Sequence, residues 1–389
     1  MSDEFLPLSV PNLKGNELKY VTDAVETEWV STAGPYVTQF EEKIAEYVHT
    51  PGAVSVQNGT SALHISLLLM GVTREDAVIV PTLTFIAAVN PTRYIGAEPV
   101  FMDCDDSLCL DPVKLKSFCE NECDFTDGKL IDRATGRHIK AMVVVHVFGN
   151  MADMEAILPI AKKYNIKVVE DATEALGTYY TTGAFKGKYA GTMGDIGCYS
   201  FNGNKIMTTG GGGMIVSQDT ELLAHAKHLT TQAKADVVNF IHDEIGYNYR
   251  MTNLQAALGL AQLETLEDFI VTKTNNYKRY KEAVNKLPGL RIQDFREGIR
   301  SNYWFYSVVF ENDETGRDKL IAALSDKKIQ SRPIWGLISD QLPYEGSRCY
   351  ALEKAPWYWK RVVNVPCSTN LTFEGVDRVI DVIKEFSEK

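Results

Sequence analysis

Short runs of apolar and β-branched residues recur along the first 250 positions, separated by longer stretches of mixed polarity. Ala53–Val56, Ala77–Val80, Pro99–Asp103, Ala141–His146, Lys167–Asp171, Gly197–Phe201 and Gly213–Val216 each read as a strand. They are nearly continuous in apolar residues rather than alternating, which predicts a sheet covered on both faces. Between them, Ser61–Met70 and Met154–Tyr164 carry the pattern of amphipathic helices. This alternation predicts an α/β layered domain over residues 1–251. From Thr252 a single helical pattern, TNLQAALGLAQLETLEDFIVTKTNNYKRYKEAVNKL, runs until Pro288 and Gly289 break it. We expect that helix to lead into a small C-terminal α+β domain, residues 252–389, on which the N-terminal segment packs. The stretch Cys123–Lys140, with turn signals at Thr126-Asp127-Gly128 and Thr135-Gly136, predicts a polar excursion of hairpin type.

Composition narrows the function classes. With 389 residues, 45% hydrophobic and 23% charged, the chain is an ordinary globular protein with room for two cores. A formal net charge of -11 without a Lys/Arg run gives nucleic acid no electrostatic footprint, so an anionic ligand needs a local pocket. No apolar segment approaches the roughly 20 residues of a membrane helix. The N-terminal MSDEFLPLSVPNLKGNELKY also lacks a basic start and an apolar signal stretch, so a cytoplasmic protein without a membrane partner is expected. The seven cysteines are odd in number and scattered, as reduced thiols are. Cys119, Cys123 and His138 are metal-ligand types, but they lie in a polar stretch without an obvious fourth ligand, so no metal site is expected.

Three motifs carry candidate chemistry, each with an ordinary alternative. VVEDATEALG, residues 168–177, ends a buried strand on Glu170 and Asp171, where ligands of open α/β sheets bind. Taken alone, Asp171 reads as the cap of a helix starting at Ala172. GCYSFNGNKIMTTGGGGMIV, residues 197–216, places Lys205 in a polar turn between two strands. An amine so held can reach a cofactor and move protons, although a solvated loop is the usual setting of lysine. The glycines at 210–213 allow close approach to a cofactor or a neighbouring strand. In VQNGTSALHI, residues 56–65, Gly59, Thr60 and Ser61 open a helix whose N–H groups and dipole suit a phosphate, or form a plain Ser/Thr cap. The same turn lacks G-x-G-x-x-G, which argues against a nicotinamide-dependent oxidoreductase.

With these pieces in order, the chain resembles the DegT-type nucleotide-sugar aminotransferases of the aspartate-aminotransferase superfamily. The matching stretches are STAGPYVTQFEEKIAEY, NGTSALH, VPTLTFIAAVNP, VVEDATEALG, SFNGNKIMTTGGGGMI, GYNYRMTNLQAALGLAQL, SRPIW and NVPCS, along nearly the whole length. The resemblance implies aminotransferase fold type I, with a large domain whose mixed, mostly parallel sheet lies between helices. It implies pyridoxal 5'-phosphate (PLP) as cofactor, with pyridoxamine 5'-phosphate between the half-reactions. Lys205 would be the Schiff-base lysine, and Asp171 would face the pyridine nitrogen, keeping it protonated so that the ring acts as an electron sink. Glu174 would lie near the phenolic oxygen. Gly59, Thr60, Ser61 and Ser200 would hold the phosphate, Phe85 would stack on the ring, and Asn248 would reach the phosphate of a neighbouring subunit in a homodimer with shared sites. Trp29, Ser31, Asn202, Arg250, Trp304 and Arg332 fall in motifs near the expected sugar and diphosphate, with core packing the alternative for the tryptophans.

Many relatives carry Gln where this chain has Glu174 and His where it has Asn202. Relatives with histidine at the lysine position dehydrate their substrate instead, an outcome Lys205 argues against. HDEIGYNYRM, LTTQAK and TGRHIKA are similar to the branch acting on UDP-linked 4-keto-6-deoxy-N-acetylhexosamines, as in legionaminic acid and bacillosamine synthesis. That resemblance implies L-glutamate as donor and a UDP-4-amino sugar for surface glycan as product. GDP- or dTDP-linked keto sugars are the alternatives, and a non-catalytic PLP-binding protein is a rival of another class.

Overall fold

The computed structural model describes residues 4–388; residues 1–3 and 389, the outermost ends of the two expected domains, lie outside the described residues. Each of the seven expected strands is found, the largest offset being His138–Val145, which begins before Ala141. In the large sheet the order is Ala53–Val56, Gly213–Val216, Ile196–Ser200, Lys167–Asp171, His138–Val145, Asp76–Pro81, Glu98–Met102 and Arg348–Tyr350. Only Gly213–Val216 runs antiparallel to its neighbours along this path, so the sheet is mixed and mostly parallel. The polar excursion forms the hairpin Cys123–Thr126 and Lys129–Asp132, with Asp127 and Gly128 both at positive φ, attached to His138–Val145.

Two helix expectations need correction. The helix expected over Ser61–Met70 spans Gly59–Leu69 and is not amphipathic, since every residue from Ser61 to Leu67 is buried. It is wedged between the sheet strands Ile196–Ser200 and Gly213–Val216 and the helices Asn90–Ile95 and Thr220–Thr230, which leaves it little solvated face. The long pattern from Thr252 is two helices, Asn253–Glu264 and Leu266–Val284. Thr265 divides them at φ -107 and ψ 0, off the helical basin. Its hydroxyl donates to Gln262 O at 3.1 Å, while Glu267 and Asp268 favour a fresh N-terminus just beyond it. No glycine or proline marks the break, so the apolar spacing reads straight through it.

A second, antiparallel sheet has the order Leu290–Ile292, Tyr306–Phe310, Val362–Val365 and Arg332–Pro333. The helices Leu266–Val284, Gly316–Asp326 and Phe373–Ser387 pack beside it. The N-terminal segment joins this side through a parallel bridge between Leu6 and Ile329. The two sheets are stitched together in the C-terminal part of the chain. There Arg348–Tyr350 pairs with Glu98–Met102, and buried Asp103 accepts from the N–H groups of Glu353, Lys354 and Ala355. Among the described residues no helix is long and apolar enough to cross a membrane.

Candidate active site

The site is built at the carboxyl ends of the parallel strands, where an open α/β sheet receives ligands. Strand Lys167–Asp171 delivers two acids there, and the two-residue period of a strand sends them to opposite faces. Glu170 faces the framework: His146 Nε2 lies 2.8 Å away, and Gly191 and Met193 donate their N–H groups. Because Ala152 N–H donates to His146 Nδ1, the ring proton sits on Nε2 and points at Glu170. Asp171 faces the cavity instead. No helix starts at Ala172, so Asp171 is not a helix cap; its Oδ1 accepts Thr173 N–H at 3.0 Å. Burial pushes its carboxyl above the usual range, opposed by Thr173, Lys205 and His146. A cation seated against it in the cavity would further favour its charged form.

Lys205 sits in the turn between the antiparallel strands Ile196–Ser200 and Gly213–Val216. Gly213 is needed where this turn closes, because a Cβ there would meet Asn58 C and O at 2.6 Å. At Gly213 the close approach is thus to the helix cap that follows the neighbouring strand Ala53–Val56. Lys205 Nζ lies 3.6 Å from Glu174 Oε1 and 4.2 Å from the centre of the Trp304 ring, and its side chain is 12% exposed. Trp304 is fixed in turn by its Nε1, which donates to Asn204 O at 2.8 Å.

Glu174 Oε2 accepts Phe148 N–H at 2.8 Å. Burial pushes the Glu174 carboxyl up to about 7, against the opposing pull of Lys205 and Phe148. Its folded value lies above its ordinary 4.5, so folding takes up a proton between these limits. The stability of the cofactor-free protein therefore falls as pH rises through this window. We expect Glu174→Gln to flatten that part of the profile; thermal midpoints of both proteins across it would check this, and parallel curves would contradict it.

These groups line a cavity of about 700 Å³, within the range of small-molecule sites. Gly59, Thr60, Phe85, Asp171, Glu174, Ser200, Asn202, Lys205, Trp304 and Arg332 all reach it. Ser61 does not line it, and Asn58 Oδ1 takes its N–H at 2.7 Å as the helix cap. Gly59 and Thr60, in the first turn, keep N–H groups without intrahelical partners. Thr84, Thr173, Asn204 and Trp335 also line the cavity and were not anticipated; Trp335 ends the SRPIW stretch, which was the available signal.

Trp29, Ser31, Asn248 and Arg250 lie outside the cavity lining. They gather around one stretch of chain: Asn253 donates its side chain to Trp29 O and its backbone N–H to Ser31 O, just beyond Asn248 and Arg250. Asn248 is exposed, and Arg250 Nε is buried without a hydrogen-bond partner among the described residues. Cys119 and Cys123 are buried, and His138 Nδ1 contacts Asp76 Oδ1 at 3.1 Å. Among the described residues the group that could hold a metal is another one, His228, Asp243 and Glu244.

The donor set fits PLP. A helix start with free N–H groups and the hydroxyls of Thr60 and Ser200 suits a phosphate. The buried carboxylate of Asp171 suits a pyridinium, and the amine of Lys205 suits an aldehyde. A family model, that of the DegT/DnrJ/EryC1/StrS aminotransferase family, matches residues 11–384. The chain belongs to this family. It is 38% identical over 385 residues to a GDP-perosamine synthase of Escherichia coli O157:H7, covering 98% of this chain and 99% of that one. A GDP-perosamine synthase of Caulobacter vibrioides is 36% identical over 384 residues, 98% of either chain. A crystal structure of a DegT DnrJ EryC1 StrS aminotransferase from Brucella abortus superposes with a TM-score of 0.87 at 27% identity, over 96% of both chains. Members of this family use PLP, and this chain is a PLP-dependent nucleotide-sugar aminotransferase.

Proposed function

We propose that the enzyme moves the amino group of L-glutamate to the C4 ketone of a GDP-linked keto sugar, with Lys205 as its catalytic amine. The observation that carries the catalytic part is the placement of Lys205 Nζ between Glu174 and Trp304, in one cavity with Asp171. When bound, PLP supplies an electron-withdrawing ring that stabilises negative charge beside the transferred nitrogen. Gly59, Thr60 and Ser200 would anchor its phosphate, and Asp171 would balance its ring cation. Nζ of Lys205, once free, moves the proton at the donor carbon; Glu174 holds a hydrogen bond close by. Trp304, Trp335 and Phe85 wall the cavity and limit water.

GDP is favoured by the two synthases named above, alike over nearly the full chain. A second reading, a UDP-linked 4-keto-6-deoxy-N-acetylhexosamine, is favoured by the HDEIGYNYRM, LTTQAK and TGRHIKA stretches. A panel of GDP-, UDP- and dTDP-linked 4-keto sugars assayed with glutamate separates them. We expect the GDP sugar to have the highest kcat/KM, with parallel double-reciprocal plots because one pocket serves both half-reactions. Preference for the UDP sugar would select the second reading. Glutamate alone should bleach the visible cofactor band; an unchanged band would mean a non-catalytic binding protein.

The active form is proposed to be a homodimer. Its support is the set Trp29, Ser31, Asn248 and Arg250, which this chain's own cavity does not use. Beside it stands a hairpin, Lys234–Asp236 and Ile241–His242, whose Val237, Val238, Phe240, Ile241 and the nearby Ile245 are exposed. Sedimentation should give twice the monomer mass, and Asn248→Ala should weaken PLP binding. A monomer with full activity would contradict this.

A further inference from the structure

We infer that Asn302 is a positioning residue for the amine of Lys205, because its side-chain amide ties the turn that carries Glu174 to the segment that carries Trp304. The inference rests on the proposed role of Lys205. Asn302 is fully buried and contributes nothing to the cavity wall. Its Nδ2 donates to Glu174 O and to Leu176 O, each at 2.9 Å, and its Oδ1 accepts Trp304 N–H at 3.0 Å. Its own N–H donates to Thr178 Oγ1 at 3.0 Å. The amide cannot be turned over, since its oxygen would then face two carbonyl oxygens and its nitrogen an N–H group. One side chain thus fixes the backbone of both groups that flank Nζ, at 3.6 Å on the Glu174 side and 4.2 Å on the Trp304 side.

The surrounding loops leave this link no freedom. Gly149, at φ +86, lies so close that a Cβ there would meet Asn302 Oδ1 at 1.8 Å. Gly149 O accepts from both Thr178 Oγ1 at 2.9 Å and Ser301 Oγ at 2.7 Å. The preceding Phe148 donates to Glu174 Oε2, and Trp304 Nε1 reaches back to the Lys205 turn at Asn204 O. The distance from Nζ to each neighbour is therefore set by three loops that meet at one amide. Loosening it would let the Glu174 carboxylate and the Trp304 ring drift from Nζ, and both favour a positive charge there. Among the described residues Asp171 is the other carboxyl group that interacts with Lys205, and it is anchored separately by Thr173.

The test compares Asn302→Ser and Asn302→Ala with Asn276→Ala, all as PLP-loaded full chains. Asn276 is an equally buried asparagine whose Nδ2 donates to Leu371 O at 3.1 Å. Each is titrated through the visible absorbance of the bound cofactor and assayed for kcat and KM. The expected result is a titration midpoint lowered by at least about 0.5 pH unit and a kcat reduced about 10–100-fold in the Asn302 variants, with the glutamate KM within about twofold. Asn276→Ala should move the thermal midpoint but neither of these. An unmoved midpoint in both Asn302 variants, or an equal shift in Asn276→Ala, would overturn the inference, as would failure of both Asn302 variants to fold. A band that survives in Lys205→Ala would instead overturn the role of Lys205.

Discussion

Lys205→Ala is expected to lose at least about three orders of magnitude in turnover while keeping its fold. The loss is large because among the described residues no other amine lines the cavity, and an amine is needed both to hold the cofactor covalently and to move the proton. The fold should survive because Nζ rests on Glu174 and Trp304, whose anchors are Phe148 N–H and Asn204 O rather than the lysine side chain. Turnover with saturating glutamate and keto sugar, read beside circular dichroism and the thermal midpoint, checks both halves. Retention of a substantial fraction of activity would remove Lys205 from its place in the site.

Asp171→Asn should separate activity from stability in an unusual direction. The amide keeps the shape and can still accept Thr173 N–H, so the local turn is preserved. The negative charge that would balance a ring cation is gone, and we expect kcat to fall on the order of 10²–10³-fold, the scale of losing one preorganised electrostatic contact. Yet the cofactor-free variant should be at least as heat-stable as the wild type, because burial makes the Asp171 charge costly. Activity and thermal melting of the two apo- and holoproteins decide it. A variant with near wild-type kcat, or a strongly destabilised apoprotein, would contradict this reading of the carboxylate.

A smaller effect is expected at Gly149→Ala, where the left-handed backbone adds about 1–3 kcal/mol of strain before the contact with Asn302 is counted. Denaturant unfolding would show it as a lowered midpoint.

How far the sequence reveals this arrangement depends on whether the signal is local. The central strands are legible because a buried parallel strand must be apolar on both faces, and Val143, Val144, Val168 and Val169 are all fully or almost fully buried. The helix break at Thr265 is not legible, since its cause is a cap geometry that ordinary residues can adopt. Glu170 and Asp171 look equivalent in the chain; only strand parity and the position of His146 show that one faces the framework and the other the cavity. Ser61 carries a phosphate-binding type of residue at a helix start, but Asn58 caps its N–H and the cavity opens at Gly59 and Thr60. Phe148, Thr178 and Asn302 leave no motif at all. Their roles come from loops 26 to 128 residues apart in the chain meeting behind Glu174, which no local spacing encodes.

The most direct test is borohydride reduction of the PLP-loaded protein followed by peptide mapping. The account predicts a phosphopyridoxyl group fixed to Lys205, in the peptide containing Asn202, Gly203 and Asn204. An unmodified Lys205 peptide, or the label on another lysine, would contradict it.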